Sequence, residues 1–230
     1  MKLKCHAILN GHLTPKYARN FTSALLKKVA SADQWSTTES HDNGFKQGNF
    51  TVKPFSHSQI SGLKWDGEKF YSTDTVSFGF GWSLEIVSAF CEAVAADPVL
   101  RIGDTEMEII KIGRIPDGGH VFRALSPIVV KDKTGYITPN NTEEFIKLLQ
   151  INSVKKIEVL TGEKLRPEVV RFRFPKGLQR KIVWWGDMFC CLGGVGYVEI
   201  DSDPDIVTPL ADVGLGCKTA CGFGFVEAVA

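Results

Sequence analysis

The sequence predicts an α+β protein in which one order of strands and helices occurs twice along the chain. Segments that alternate apolar and polar residues, as strands do, are interleaved with segments of helical periodicity. A Pro-Asp-Gly-Gly break at residues 116–119 separates two such series. A chain of 230 residues, 43% of them hydrophobic, is long enough to bury one large core or two small ones.

The first series reads strand, helix, strand, strand, helix, strand. Thr14 as N-cap and Pro15 at the first helical position predict the start of the first helix, and Ser83 predicts the cap of the second. The predicted elements are a strand at 2–9, a helix to about Ala30, strands near 49–60 and 68–78, a helix through Ala95 and a strand at 105–115. This order predicts a ferredoxin-like arrangement, an antiparallel sheet with two helices on one face.

The second series is a less regular copy of the first. Its predicted elements are a strand at 121–130, a helix opened by Asn141, strands near 169–174 and 182–200, a short helix near 203–210 and a glycine-rich loop. We therefore expect two tandem ferredoxin-like domains, one over residues 1–117 and one over residues 118–230. No internal sequence repeat is strong enough to establish the duplication by itself.

Composition argues against a membrane-spanning protein and against a disulfide-rich secreted one. No apolar run reaches the ~18 to 20 residues needed to cross a bilayer, and the first residues lack a secretory signal. The six cysteines include no C-x-x-C pair, so we expect reduced thiols and no zinc site. These features predict a cytoplasmic protein with no membrane partner.

Basic and acidic residues are unevenly distributed, although the formal net charge is only +1. Seven basic residues and one acid lie between Lys164 and Lys181, whereas five acids and no base lie between Glu199 and Asp212. This segregation predicts a basic face that binds phosphates, with the acidic segment elsewhere. A merely solvated surface is the alternative.

Within the basic segment, Arg171 and Arg173 alternate with Val170, Phe172 and Phe174 at the period of a strand. One face of this strand is then buried and the other is cationic. Two guanidinium groups ~7 Å apart along a strand suit the phosphates of neighbouring nucleotides. We therefore expect both arginines to contact nucleic acid, unless they simply face solvent.

The most distinctive motif is a glycine-rich loop, which reads G-L-G-x-K-T-x-x-G-F-G-F-V-E over residues 214–227. Gly214, Gly216, Gly222 and Gly224 permit backbone conformations that aim several N–H groups at one point, and Lys218 adds a cation. The loop therefore predicts phosphate or nucleic-acid binding. Two alternatives are a site for a phosphorylated small molecule and a structural role in close packing.

Histidine is the natural proton donor or acceptor near neutral pH, and the chain has five. His41 lies in the polar turn 39–44 after the first helix, where its ring can reach a groove without being buried. We interpret the other four, His6, His12, His57 and His120, as ordinary residues, with His57 a less favoured candidate for the base. His41 is therefore the candidate catalytic histidine.

Together these motifs resemble those of the CRISPR repeat-processing endoribonucleases of the RAMP superfamily. The matching pieces follow the family's order and span nearly the whole chain: a first helix ending near Lys27-Lys28, His41 in a turn, Lys53-Pro54-Phe55-Ser56, Phe122-Arg123-Ala124-Leu125-Ser126-Pro127-Ile128, Arg171-Phe172-Arg173-Phe174 and the glycine-rich loop. The Ser126-Pro127-Ile128 segment and the loop are the more specific pieces.

The resemblance implies two tandem ferredoxin-like domains with RNA lying across the surface between them. It implies His41 as general acid or base and Lys53 as electrostatic partner in metal-independent cleavage of CRISPR repeat RNA, the precursor crRNA. A ribose 2'-hydroxyl would attack the adjacent phosphodiester, giving 5'-hydroxyl and 2',3'-cyclic phosphate ends without a cofactor. The expected RNA contacts are Lys27, Arg171, Arg173, Gly214, Gly216, Lys218, Gly222 and Gly224.

Departures from the family pattern leave alternatives open. Ser23 stands where many members carry a tyrosine in the first helix. The interval between His41 and Lys53 contains an insertion at 44–49, so Lys46 can take the place of Lys53. The alternative function is a non-catalytic RNA-binding RAMP subunit of a CRISPR effector complex, whose other subunits would then be partners. The sequence leaves open whether the protein is a monomer or a homodimer.

Overall fold

The computed structural model describes residues 1–33, 44–48, 50–53, 55–185 and 189–229, and its first half forms one α+β unit. The elements of this N-terminal unit are β1 (Lys2–Asn10), α1 (Ala18–Ala32), β2 (Phe45–Gln47), β3 (Phe50–Val52), β4 (Phe55–His57), β5 (Lys64–Trp65), β6 (Phe70–Tyr71), β7 (Val76–Trp82), α2 (Leu84–Ala96), β8 (Val99–Ile102) and β9 (Thr105–Ile115). Five strands form an antiparallel sheet in the order β4-β7-β1-β9-β8. Helices α1 and α2 pack side by side against it.

The second half forms a C-terminal unit with the same arrangement. Its elements are β10 (Val121–Ala124), α3 (Thr142–Thr161), β11 (Arg171–Arg173), β12 (Gln179–Trp185), β13 (Phe189–Val195), β14 (Tyr197–Asp201), α4 (Pro204–Val213) and β15 (Val226–Ala228). The main sheet has the order β11-β14-β10-β15, which matches β4-β7-β1-β9 position by position. The predicted pair of tandem ferredoxin-like domains is confirmed, and the hairpins β2–β3, β5–β6 and β12–β13 are additions to it.

Each unit has its own cluster of buried apolar side chains, because in each the helices cover one face of the sheet. The first cluster contains residues between Leu3 and Ile109, and the second contains residues between Phe122 and Val226. The domain boundary at 117/118 stays a prediction. In the described ranges, no helix combines the length and the apolar character needed to cross a membrane.

Helix α1 begins later than the sequence predicts. Leu13 pairs with Phe70 through backbone hydrogen bonds in both directions, which holds residues 13–17 outside the helix. The amide of Tyr17 instead closes a turn by donating to the carbonyl of Thr14. The helix therefore starts at Ala18, and the predicted Thr14 cap is wrong because a tertiary strand contact overrides the local preference. The predicted Ser83 cap of α2 is confirmed, since its hydroxyl accepts from the amide of Ile86.

The two units are joined by polar contacts from β1 to the C-terminal unit. Lys2, only 2% exposed, donates from Nζ to the carbonyls of Ala211 at 3.1 Å and Val226 at 2.9 Å. Burial lowers the pKa of this ammonium group, and nearby carboxylates oppose the shift. Two residues further along β1, Lys4 lies 3.3 Å from the carboxylate of Glu227. These contacts fix the C-terminal unit against the N-terminal sheet.

Apolar contact between the units centres on Phe225, whose ring lies over Gly79 in β7. A Cβ atom added at Gly79 would lie 2.3 Å from this buried ring. No side chain larger than hydrogen fits there without movement of the ring. The glycine in β7 is therefore required by the packing of the two units.

We expect Gly79→Ala to lower the free energy of unfolding by about 1–3 kcal/mol, because the added methyl group overpacks a buried interface. Gly113→Ala in β9 is the matched control, since its Cβ would meet nothing within 4 Å. Urea unfolding of both variants measures the difference. Equal stability of the two variants would contradict the packing argument.

Candidate functional site

A pocket of about 400 Å³ lies where the β2–β3 hairpin and α1 meet α3 and the glycine-rich loop. Its lining includes Lys53, Lys156 and Lys218, and we call it the lysine pocket. The other lining residues are Thr22, Phe50, Thr51, Val52, Asn152, Trp185, Gly216, Cys217, Thr219, Ala220 and Cys221. No acidic side chain occurs among the described residues of this lining, so the pocket suits an anion.

The glycine-rich loop reaches the pocket because its two ends are clamped by close backbone contacts. A Cβ atom at Gly216 would lie 2.3 Å from the carbonyl oxygen of Val129, and one at Gly224 would lie 1.8 Å from that of Leu215. Both glycines also have positive φ, at 73° and 64°. Gly214, Gly216, Gly222 and Gly224 are all buried, so the structure gives them a packing role. The partly accessible residues of the segment around Lys218 are Cys217, Lys218, Ala220 and Cys221, whereas Thr219 is buried.

Lys218 has an unusual backbone conformation. It is the one non-glycine residue in the described part of the chain with positive φ, at 61°. Such a conformation is unfavourable for a lysine and persists only where the surroundings fix it. The carbonyl of Lys218 accepts from the amide of Cys221, which closes the turn. The strained residue thus places its own cationic side chain at the pocket.

Lys156 in α3 brings a second amine into the pocket from a buried position. The residue is 4% exposed, and its Nζ donates to the carbonyl of Gly214 at 2.7 Å. Burial lowers the pKa of Lys156 to about 7, so near neutral pH the amine is only partly protonated. One turn earlier in α3, the side-chain oxygen of Asn152 is buried without a hydrogen-bond partner among the described residues. The unpaired oxygen of Asn152 is a polar feature of the kind that a bound ligand completes.

Lys53 follows β3 and reaches the same pocket from the N-terminal unit. Burial raises the thiol pKa of Cys221, and both Lys218 and Lys53 lie close enough to oppose this shift. Lys53 of the N-terminal unit and Lys218 of the C-terminal unit line the pocket together with Cys221. Lys46, the alternative active lysine, is exposed in β2 and does not line the pocket. The structure thus places Lys53, and not Lys46, beside Lys218.

Of the predicted site residues, only Lys53, Gly216 and Lys218 are among the described residues that line the lysine pocket. His41 lies outside the described residues, so its candidate role stays a prediction. Lys27 is exposed in α1 and lines a different groove, of about 640 Å³, between α1, α2 and β8. Ser23, at the family tyrosine position, lines that groove too, whereas the adjacent Thr22 lines the lysine pocket.

His57 is buried between the glycine-rich loop and α1. Its Nε2 lies 2.8 Å from the hydroxyl of Thr22, and its Nδ1 lies 2.9 Å from the carbonyl of Ser58. Burial lowers the pKa of His57 to about 4, so the ring is neutral at neutral pH. A Cβ atom at Gly222 would lie 2.5 Å from this ring. His57 therefore supports the loop by packing, and its interpretation as an ordinary structural residue agrees with this geometry.

The basic strand has the predicted alternation, with Phe172 buried between the exposed Arg171 and Arg173. The prediction that the acidic segment lies elsewhere is wrong. Antiparallel pairing of β11 with β14 sets Asp201 opposite Arg171 and Glu199 opposite Arg173, at 3.8 Å and 3.7 Å. Each arginine therefore has a carboxylate neighbour that would compete with a phosphate. RNA contact by Arg171 and Arg173 stays a prediction.

Sequence reasoning missed Lys156 and Asn152 as site residues. One feature of the sequence could have identified Lys156 as a site residue. It follows Phe145 by eleven residues and Leu149 by seven, and this helical spacing places it on the apolar face of α3. A lysine at such a position is seldom buried without a partner, which makes it a candidate for function. No sequence pattern identifies Asn152, since the lack of a partner for its side-chain oxygen depends on the folded structure.

Three solved structures show how the architecture compares with known proteins. An RAMP protein binding different RNA substrates superposes with a TM-score of 0.79 at 22% identity, with 100% of both chains covered. A CRISPR associated protein Cas6 gives 0.76 at 21% identity, covering 100% of this chain and 99% of the other. A Cas6-related protein from Pyrococcus furiosus gives 0.82 at 18% identity, covering 100% and 98%. At these identities the superpositions establish the fold.

Sequence comparison identifies the family. No curated protein matches the chain significantly. The model of the family described as CRISPR associated protein Cas6, C-terminal, matches residues 110–228, which is more than half of the chain. This match covers the basic strand, α3 with Lys156, and the glycine-rich loop with Lys218. The chain therefore belongs to the Cas6 family of CRISPR-associated proteins.

Proposed function

We propose that this Cas6-family protein is an endoribonuclease that cuts precursor crRNA within its repeat. The family processes or binds CRISPR RNA, and the lysine pocket is the observation that carries the more specific proposal. It collects three amines at the junction of the two units, with no acidic side chain among its described lining residues. We place the scissile phosphate of the RNA in this pocket.

The proposed reaction is transfer of the phosphodiester to the neighbouring 2'-hydroxyl, without a metal ion. The 2'-oxygen forms a bond to phosphorus while the bond to the 5'-oxygen breaks, giving a 2',3'-cyclic phosphate and a 5'-hydroxyl. One proton leaves the 2'-hydroxyl and one is delivered to the 5'-oxygen. Lys53 and Lys218 would stabilise the charge that builds on the non-bridging oxygens.

His41 is the proposed acid or base, because it matches the family motif and lies in the polar stretch of sequence after the first helix. A histidine near its ordinary pKa can both accept and donate protons near pH 7.

The alternative function, a non-catalytic RNA-binding subunit, is favoured by one observation. Ser23 stands at the family tyrosine position and lines the groove that contains Lys27, outside the lysine pocket. The residue of α1 that lines the lysine pocket is Thr22. Proton transfer then depends on His41, and a protein in which this histidine is inactive would bind RNA without cutting it. Effector-complex subunits would be its partners in that case.

We expect His41→Ala to reduce cleavage of the cognate repeat RNA in EDTA by about 10²-fold or more, since it removes the acid or base. Affinity for an RNA that lacks the scissile 2'-hydroxyl should change little. His12→Ala, which removes an exposed histidine from the turn after β1, is the control and should cut normally. Binding without cleavage by the wild type would instead favour the RNA-binding subunit.

Lys53→Ala should slow cleavage by about 10²-fold, because it removes a cation that stabilises the transition state. Lys46→Ala should change the rate less than about threefold, since an exposed charge outside the pocket contributes little. Single-turnover cleavage with saturating enzyme separates this effect from RNA binding. A larger effect of Lys46→Ala than of Lys53→Ala would assign the active lysine to Lys46.

Affinity for the uncleavable RNA should depend on pH through Lys156. With a pKa of about 7 in the free protein, the amine is charged below pH 7 and becomes neutral as the pH rises. A phosphate binds the charged amine more strongly than the neutral one, so RNA affinity should be high below pH 7 and fall above it. We expect a fall of about tenfold, because one charged hydrogen bond contributes about that much to affinity.

Lys156→Met should remove this part of the pH dependence. Lys155→Met is the matched control, since its side chain is exposed on the neighbouring position of α3. Fluorescence anisotropy between pH 6 and pH 9 would measure the difference. Identical pH profiles of wild type and Lys156→Met would exclude Lys156 from phosphate binding.

A further inference from the structure

A second groove, of about 520 Å³, lies between the β5–β6 hairpin of the N-terminal unit and strand β12 of the C-terminal unit. We call it the aromatic groove, since its lining includes Trp65, Phe70 and Trp184. Trp65 and Trp184 are each 49% exposed. Tryptophan is well buried on average, so two half-exposed tryptophans in one groove indicate a binding surface.

The base of the groove is formed by residues of the N-terminal core. Tyr17 and Ile60 line it and belong to the N-terminal core. The rings of Trp65 and Phe70 have centroids 4.9 Å apart, and Phe70 meets Tyr17 edge to face at 6.0 Å. Phe70, which packs on the buried Tyr17, therefore also supports the ring of Trp65. A preformed aromatic surface binds a flat ring at a low cost in conformational entropy.

The charge of the groove is positive. Lys181 is the charged side chain among the described lining residues, and Arg180 precedes it in β12. An apolar partner protein would not require this cation. A ligand that combines aromatic rings with negative charge matches both features, and an unpaired nucleotide has this chemistry.

Strand β12 connects the two sites directly. Trp184 and Trp185 are consecutive, so their side chains point to opposite faces of the strand. Trp184 lines the aromatic groove, whereas Trp185 lines the lysine pocket. In the same way, Ala18 in α1 lines the groove and Thr22, one turn later, lines the pocket. A nucleic acid strand bound in the pocket therefore has the groove within reach of its neighbouring nucleotides.

We propose that the aromatic groove stacks unpaired nucleobases of the same RNA whose phosphate enters the lysine pocket. The identity of that RNA rests on the proposed function. Stacking accepts any base and contributes roughly tenfold or more to affinity per base. The substrate would then be single-stranded beside the cut, since a paired base could not enter the groove.

The test measures binding of the cognate repeat RNA, with the scissile 2'-hydroxyl removed, to wild type and Trp184→Ala. A set of RNAs carries a single abasic site at each successive position. We expect Trp184→Ala to weaken binding about tenfold, and one or two abasic positions to do the same with wild type. The two changes should not add at those positions, because both remove the same stacking contact. Trp184→Phe should restore most of the affinity.

Leu84→Ala is the control, since it removes an exposed apolar side chain that lies outside the groove. Unchanged RNA affinity in Trp184→Ala, or additive losses at every abasic position, would overturn the proposal. Trp184→Ala could instead abolish self-association and show no non-additivity with any abasic site. That result would assign the groove to a second copy of the chain and would also overturn the proposal. The protein could also fail to cut RNA while the losses from Trp184→Ala and from one abasic site are non-additive. That result would support base stacking in the groove and reject the proposed nuclease activity.

Discussion

The close approach of two backbone segments, at Leu215 and Gly224, fixes the geometry on which the lysine pocket depends. The amide of Leu215 donates to the carbonyl of Gly224 at 2.8 Å, and the amide of Gly224 donates to that of Pro127 at the same distance. No Cβ atom fits between these segments. Because both ends of the loop are clamped in this way, residues 216–221, including Lys218, are held at the wall of the pocket.

Buried donors from three parts of the chain reinforce this arrangement. Lys156 donates to the carbonyl of Gly214, Gln59 to that of Gly222, and Lys2 to that of Val226. Burying an amine costs free energy unless its hydrogen bonds are made. Any displacement of residues 214–226 would leave these groups unpaired. The loop is therefore held by the N-terminal unit and by α3 together, and the pocket between them keeps one shape.

The sequence predicts the parts of this structure that depend on local periodicity. The strands β1 and β9, the Ser83 cap of α2 and the alternation around Phe172 follow from patterns within a few residues. The predicted strand at 182–200 is divided in the structure, and Gly196, with a φ of 155°, separates β13 from β14. One long alternating segment does not reveal where the chain leaves one sheet, here that of β12 and β13, and enters another, here that of β14.

Contacts between distant residues are what the sequence could not predict. The pairing of Arg173 with Glu199 depends on the register of β11 against β14, which no local pattern specifies. The convergence of Lys53, Lys156 and Lys218 depends on the packing of two units. The glycine motif predicted a loop that binds phosphate. In the structure its four glycines are buried, and Lys218 is the cationic residue of the loop that lines the pocket.

The strand order also determines when the site can form during synthesis. Strand β15 pairs with β10 in the second sheet, and Phe225 fills the space over Gly79 in the first. The ribosome must therefore release residues through Val226 before either contact exists. Until then the N-terminal unit exposes an apolar face around Gly79, and the lysine pocket lacks one wall. A nascent chain that stops short of Val226 therefore lacks an assembled pocket, and the pocket is complete only after this segment has been translated.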